Sequence, residues 1–207
     1  MQRELARTLV LLGRNHLHLG QPAEARQELE RALALSEELT YEENAIAASI
    51  RLGYLSVYED KLAEAERWLG RCRSAYAQRG IAEYLYMVWM LQQDLAAAGG
   101  DWDRFREAWL WLTRQFIDRG AYAIAPHLAA LACALAQRGQ VERAVELYAL
   151  AKRRPWVANS AYYQQVHERR VRELASSLPE AVRRAAEERG RARDWEPVVR
   201  ELVAELA

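Results

Sequence analysis

The stretch that decides the fold runs Leu12-Gly13-x-x-His16-x-x-x-Gly20-x-x-x-x-Ala25-x-x-x-Leu29-x-x-Ala32. Its small residues recur where one helix would press closely on a partner, and Leu12 and Leu29 are expected to supply volume beside them. Gly20 separates two apolar runs of helical period, 6–19 and 23–35, and Pro22 stands near the start of the second run, where its missing N–H costs little. The stretch therefore predicts two packed helices joined by a tight turn.

The same frame returns three more times further along the chain. Its turn positions are Gly20, Asp60, Gly100 and Gly139, which are spaced by 40, 40 and 39 residues. Self-similarity at a nearly fixed period of this length is the signature of a helical repeat array. We therefore predict four successive helix pairs.

At these residues the chain resembles the tetratricopeptide repeat (TPR) family, whose pattern has a small residue in the first helix of each pair (helix A), a glycine before the turn, and small residues in the second helix (helix B). The resemblance implies an all-α fold, a right-handed superhelix (α-solenoid) of about four TPR-like helix pairs with a C-terminal helical cap. The pairs are expected at about 3–40, 41–80, 81–120 and 121–153, and the cap at 154–207, in one continuous domain.

The period is longer than the family's usual value of about 34 residues. In this the chain resembles the stretched repeats at the C-terminal end of large bacterial signal-transducing ATPases (STAND) and maltose-activator-like transcription regulators. The segments 155–160 and 188–194 also resemble the closing part of those proteins. The resemblance implies a non-catalytic module that binds a protein or senses a signal, as the regulatory part of a larger bacterial protein whose output domain lies elsewhere.

In such arrays helix A lines a concave groove, and the resemblance assigns the partner-binding positions. We expect these side chains to be exposed, with an aromatic and methionine centre that suits an apolar peptide or helix. The alternative is that some are buried, because the superhelix closes on itself or the cap covers them. The candidate groove residues are Arg14, His18, Ile50, Tyr54, Tyr58, Met87, Met90, Asp94, Cys133 and Gln137.

The composition limits the possible partners and surroundings. The chain has 207 residues, 51% of them hydrophobic, and a formal net charge of zero, so neither nucleic acid nor an anionic membrane is indicated as an obligatory partner. It carries neither an apolar run long enough to span a membrane nor a secretory leader, which makes a cytoplasmic location the expectation. Cys72 and Cys133 lie in different repeats, and Cys72 falls at a small-residue packing position, so a buried free thiol is expected rather than a disulfide.

The residues that could carry chemistry do not form a catalytic or metal-binding pattern. His16 and His18 would point about 200° apart on a helix, and His16 falls at a position that the family fills with a packed tyrosine, so we expect a core histidine. A phosphate-binding glycine loop is missing, and the adjacent carboxylates fall at helix ends or polar faces. We expect no enzyme, no cofactor and no metal site.

Several residues are expected to begin or end helices. The segments Thr40–Glu43 and Ser177–Glu180 have the form of capping boxes, and Asn159 or Ser160 and then Asp194 are expected to cap two helices of the C-terminal region. Gly80 and Gly120 are expected to end helix B of the second and third repeats.

Two other functions remain open at this stage. Seven tryptophans in a modest chain motivate self-association into a homo-oligomer or scaffold. The arginines of the C-terminal region, together with scattered tyrosines, motivate RNA binding, although net neutrality argues against it. Interleaved glutamates favour the interpretation of those arginines as a salt-bridged, solvated face.

Overall fold

The computed structural model describes residues 1–79, 82–117 and 121–207, and within these ranges all regular secondary structure is helical. The prediction of an all-α protein built from paired helices is confirmed. The helices are α1 (Gln2–His18), α2 (Pro22–Glu38), α3 (Glu42–Tyr58), α4 (Leu62–Arg79), α5 (Ala82–Gly99), α6 (Trp102–Phe116), α7 (Ala121–Gln137), α8 (Val141–Ala151), α9 (Pro155–Ala158), α10 (Ala161–Tyr163), a π-helical turn (Gln164–Glu168), α11 (Arg169–Ala175), α12 (Glu180–Ala192) and α13 (Trp195–Leu206).

The chain forms two compact units, unit 1 (Met1–Leu95) and unit 2 (Ala96–Ala207), which are described separately. In unit 1, α1 packs on α2, α2 packs on α3, and α3 packs on α4. In unit 2, α7 packs on α6 and α8, and α12 lies along α8. Among the described residues, none of the helices combines the length and the apolarity needed to cross a membrane.

The tight turns within the helix pairs share one backbone geometry. The predicted turn residues all adopt the left-handed conformation, with φ of 76° at Gly20, 57° at Asp60, 75° at Gly100 and 80° at Gly139. After each of them, the next residue's N–H donates to a carbonyl five residues earlier, for example Gln21 to His16 at 2.8 Å. This bond satisfies a carbonyl that the helix end would leave without a partner.

Thr40 takes the same conformation, with φ of 49°, between α2 and α3. The following N–H, that of Tyr41, donates to the carbonyl of Ser36 at 2.7 Å. Tyr41 occupies the N-cap position of α3 without a side-chain capping bond. The predicted capping box at Thr40–Glu43 is therefore wrong, because the end of α2 requires Thr40 in a left-handed turn.

The close approach predicted at Gly13 is present within the first helix pair. A Cβ atom added to Gly13 would lie 2.5 Å from Cγ of Leu29, a distance that no real side chain tolerates without movement. Leu29 and Ala25 are fully buried beside it, but Leu12 is 40% exposed. The expectation that Leu12 fills this contact is corrected, since its side chain is partly exposed to solvent.

The interior of unit 2 is centred on Trp109 of α6, which is fully buried. Its indole Nε1 donates a hydrogen bond to the carbonyl of His127 on α7 at 2.9 Å, so the ring's one polar group is satisfied in the core. Trp109 and Phe105 of the third repeat thus supply packing.

The C-terminal region has the predicted helices but different starting geometry. Ser160 and Asp194 do occupy N-cap positions, although neither makes a side-chain capping bond. The N-cap of α12 is Pro179, and the hydroxyl of Ser177 donates instead to the carbonyl of Leu174 at 2.8 Å, so the second predicted capping box is also wrong. The predicted helix ends at Gly80 and Gly120 lie outside the described residues.

Candidate partner-binding site

The predicted groove residues are divided between the two units. Unit 1 holds those of α1, α3 and α5, and unit 2 holds the two on α7. The unit 1 members are Arg14, His18, Ile50, Tyr54, Tyr58, Met87, Met90 and Asp94, and the unit 2 members are Cys133 and Gln137.

Half of the predicted residues are buried, and the expectation that they are exposed is corrected. Four of them belong to unit 1, where the hydroxyl of Tyr54 donates to the carbonyl of Met87 at 3.2 Å and so ties α3 to α5. Burial of these side chains comes from the close packing of α3 and α5, since a Cβ added to Gly53 would lie 2.5 Å from Leu91. The buried members are Ile50, Tyr54, Met87, Asp94 and Cys133.

In unit 2 the two predicted residues differ in accessibility. The thiol of Cys133 is fully buried, with Sγ 4.0 Å from the carbonyl oxygens of both Ala97 and Val166. Val166 belongs to the C-terminal region, which therefore covers Cys133. Coverage by the C-terminal cap was one of the two ways in which burial of groove residues was expected to arise. Gln137 is exposed, but its side-chain amide donates to the carbonyl of Ala97.

The free cysteines are both buried, which confirms the prediction for Cys72. Burial raises the pKa of the Cys72 thiol to about 12, although the charge of Arg71 opposes this shift. Cys72 is therefore an unreactive packing residue at neutral pH. Among the described residues, no group of three or more His, Cys, Asp or Glu side chains is arranged to hold a metal ion.

The accessible part of the unit 1 face is a cluster of two arginines around a histidine. Burial, together with the charges of Arg51 on α3 and Arg14 on α1, lowers the pKa of His18 to about 4. His18 is therefore neutral at physiological pH, close enough to both guanidinium groups for their charges to act on it. The guanidinium carbon of Arg51 lies 5.7 Å from the ring centroid of Tyr54, within cation–π range. We call Arg14, His18 and Arg51 the cationic cluster.

Sequence reasoning missed Arg51, the neighbour of the predicted Ile50. One spacing pointed to Arg51: it is three residues before Tyr54, which places the two side chains on one face of α3. In the same way, Arg14 and His18 are four residues apart and share one face of α1. Because Ile50, Tyr54 and Met87 are buried, the surface left to a partner carries the cationic cluster beside the half-buried Tyr58 and Met90. The expectation of an apolar groove is corrected in unit 1.

Histidine 16 does not lie in the core. It is half-buried at the end of α1, and its Nδ1 lies 2.8 Å from Oε1 of Gln21 across the turn. The prediction of a core histidine is wrong because the helix ends two residues later, so this side chain lies over the turn.

The carboxylates and arginines mostly pair with one another, as their spacing predicts. Glu59 accepts from Arg26 at 2.6 Å, and this ion pair links the first and second helix pairs. Glu59 also pairs with Lys61. In the C-terminal region Arg169 pairs with Glu173 at 3.7 Å, four residues on. These contacts confirm the salt-bridged interpretation at the residues concerned.

Comparison with known families supports the first helix pair directly. Residues 6–39 match the family model described as tetratricopeptide repeat, a stretch that covers most of α1, all of α2 and the turn between them. Tetratricopeptide repeats in general mediate protein–protein interaction. Neither the curated proteins nor the solved structures gave a match.

Proposed function

We propose that the chain is a non-catalytic protein-binding module whose unit 1 helix A face binds an acidic segment of a partner protein. The observation that carries this proposal is the cationic cluster, in which the charges of Arg51 and Arg14 add to burial in lowering the pKa of His18 to about 4. Guanidinium groups bind carboxylates through paired, charge-assisted hydrogen bonds. The match of 6–39 to a repeat that generally mediates protein–protein interaction supports the proposal.

The neutral state of His18 contributes to the specificity of this face. A neutral imidazole adds no positive charge to the face and carries one N–H and one unprotonated nitrogen. Tyr58 on α3 and Met90 on α5 are half-buried and extend the predicted face of unit 1. An acidic segment with an adjacent apolar side chain therefore fits better than a uniformly acidic one.

The experiment is selection from a displayed peptide library, followed by affinity measurement with the purified chain. We expect selected peptides to be enriched in Asp and Glu, and replacing those residues by Asn and Gln to weaken binding. Arg14→Gln and Arg51→Gln are each expected to weaken it by about tenfold, the value of one lost charge-assisted contact.

Arg31 provides the matched control for that experiment. It is an exposed arginine on α2, the helix B of the same repeat, so Arg31→Gln removes the same charge from a different face. Equal weakening by all three substitutions would reduce the effect to net charge, and selection of peptides without acidic residues would contradict the proposal.

A finer role is also proposed, as the regulatory part of a larger bacterial signal-transducing ATPase or transcription regulator. It rests on the resemblance of the long repeats and of segments 155–160 and 188–194 to the C-terminal region of such proteins. In that role, an acidic segment bound at the cationic cluster would be the signal that the output domain reads.

Self-association is a second candidate, and a specific observation favours it. The exposed leucines Leu5, Leu12 and Leu19 recur every seven residues along α1 and the position that follows it. Forty residues later, the equivalent positions Ala45 and Leu52 are buried in unit 1, where α3 packs on α1 and α2. The α1 face therefore has the composition of a packed surface, and we propose that a second copy of the chain covers it through its own α1.

Light scattering over a concentration series tests this candidate. We expect a dimer that Leu12→Glu converts to a monomer, because burying an unpaired charge in an apolar contact is costly. The matched control is Leu174→Glu, which alters a similarly exposed leucine in unit 2. A monomer at every concentration, or equal dissociation by the control, would exclude the α1 dimer.

A further inference from the structure

Unit 2 contains a groove that the proposed partner-binding face does not use. It lies between α8, α11 and α12 and has a volume of about 250 Å³. Its floor is apolar, because Val145 and Ala149 of α8 meet Val171 and Ala175 of α11 there. All four side chains are buried, so the floor is a continuous apolar surface at the bottom of an open cleft.

The rim of the groove carries more positive than negative charge. Four cations, Lys152, Arg172, Arg183 and Arg191, stand against the two carboxylates Glu168 and Glu187, a local excess of two (4 − 2) in a chain of zero net charge. Such an excess of positive charge attracts anions. Once a bound anion displaces water from the apolar floor, its electrostatic contacts with the rim become stronger.

The carboxylates of the rim are already occupied. Lys152 pairs with Glu168 at 2.7 Å, and Glu187 is shared between Arg183 at 3.6 Å and Arg191 at 2.9 Å. Arg172 makes neither an ion pair nor a side-chain hydrogen bond with any residue that the structure describes. One guanidinium at the edge of the groove is thus available to an incoming anion.

The local backbone brings one of these carboxylates into the groove. The turn Gln164–Glu168 is π-helical, and it ends at Glu168, opposite Lys152 of the segment after α8. Widened turns of this kind are frequent at functional sites. Tyr148 also lines the groove. Burial raises the pKa of its phenol, which therefore stays protonated, and the hydroxyl donates to the carbonyl of Tyr163 at 3.3 Å.

We propose that this groove binds a small amphiphilic anion, a carboxylate or phosphate carried on a short unbranched alkyl chain. The alkyl chain covers the floor formed by Val145, Ala149, Val171 and Ala175, and the anionic head pairs with Arg172. The volume favours a small molecule, since pockets for drug-sized ligands begin at about 300 Å³. The site lies on different helices from the cationic cluster, so the two proposals stand or fall separately.

Isothermal titration calorimetry of the whole chain tests the proposal with octanoate and octyl phosphate as probes, each below its micellar concentration. Saturable binding of either anion is the expected result, and the tighter of the two identifies the head group. Octanol is expected to bind at least about tenfold more weakly, because it keeps the alkyl chain and loses the charge. Octyltrimethylammonium, with the opposite charge, is expected not to bind.

Two arginine variants locate the site. Arg172→Gln is expected to weaken octanoate binding by about five- to tenfold, the value of one charged contact at a partly exposed site. Arg184→Gln is the matched control: Arg184 is exposed on α12 and likewise has no ion pair among the described residues, but it does not line the groove. It is expected to leave the affinity unchanged.

A groove-filling variant provides an independent test of the floor. Ala175→Phe places a large ring over the apolar surface and is expected to abolish octanoate binding, with the fold checked by circular dichroism. The proposal is overturned if neither anion binds, if octanol binds as tightly as octanoate, or if Arg172→Gln and Arg184→Gln have equal effects.

Discussion

Gly190→Ala should destabilise the C-terminal part of unit 2 by about 3 kcal/mol, the upper end of the cost of overpacking. A Cβ atom at this position would lie 2.0 Å from the carbonyl oxygen of Glu146 and 2.9 Å from Cβ of Ala149, both on α8. The carbonyl oxygen belongs to a helix backbone and cannot rotate aside as a flexible side chain would. The methyl group must therefore push α12 away from α8.

That displacement also breaks the ion pairs between the two helices. Glu146 accepts from Arg189 at 3.0 Å and from Arg193 at 2.9 Å. Burial opposes ionisation of Glu146, but the hydrogen bonds from Arg193 and Arg189 hold the pKa of its carboxyl below the ordinary value. Moving α12 by even one or two ångströms removes these bonds together with the contact at Gly190, so the losses add to one another.

Gly70→Ala is the matched control, with an expected effect of the opposite sign. Gly70 is an exposed helical glycine in α4, and a Cβ there would meet nothing within 4 Å. Alanine should therefore stabilise that helix by about 0.5–1 kcal/mol. Hydrogen exchange of the amides in α12 and α4 measures each effect within its own unit. Protection of α12 in Gly190→Ala equal to the wild type would contradict the observed packing.

The paired helices were predictable because their signals are local and recur. The left-handed turns at Gly20, Gly100 and Gly139 follow from glycine's conformational freedom, and the same period identified Asp60. Thr40 was predicted wrongly because two local signals compete for one residue. The sequence Thr40–Glu43 fits a helix start, but the end of α2 needs a left-handed residue at Thr40. The hydrogen bond from the N–H of Tyr41 to the carbonyl of Ser36, which closes α2, decides the outcome.

The candidate site was only partly predictable because it depends on contacts between distant residues. Periodicity shows which positions are equivalent, but it does not show that the charge of Arg51 acts on His18, 33 residues earlier (51 − 18). Cys133 is covered by the segment around Val166, which lies beyond the last repeat and has no periodic signal. Leu12 is exposed whereas its equivalent Leu52 is buried, although both stand at the same position of the period.

Lowering the pH from 6.5 to 4 should destabilise unit 1 by about 3 kcal/mol more in the wild type than in His18→Gln. Burial, with the charges of Arg51 and Arg14, lowers the pKa of His18 from 6.5 to about 4 in the folded chain. Between these values the unfolded chain binds a proton that the folded chain does not, so stability rises with pH across this window. The contribution is complete above pH 6.5 and is lost as the pH falls towards 4.

Comparing the two proteins isolates His18, because the carboxylates that also titrate in this range are the same in both. Chemical denaturation at several pH values gives the difference in the free energy of unfolding. Nuclear magnetic resonance titration of the imidazole checks its cause: Arg14→Gln and Arg51→Gln should each raise the pKa of His18, without restoring 6.5, since burial remains. A parallel pH dependence in wild type and His18→Gln, or an imidazole that titrates near 6.5, would mean that the cationic cluster does not form. The acidic partner would then have no reason to choose this face, because the two charges that act with burial to keep His18 neutral are those proposed to hold the partner's carboxylates.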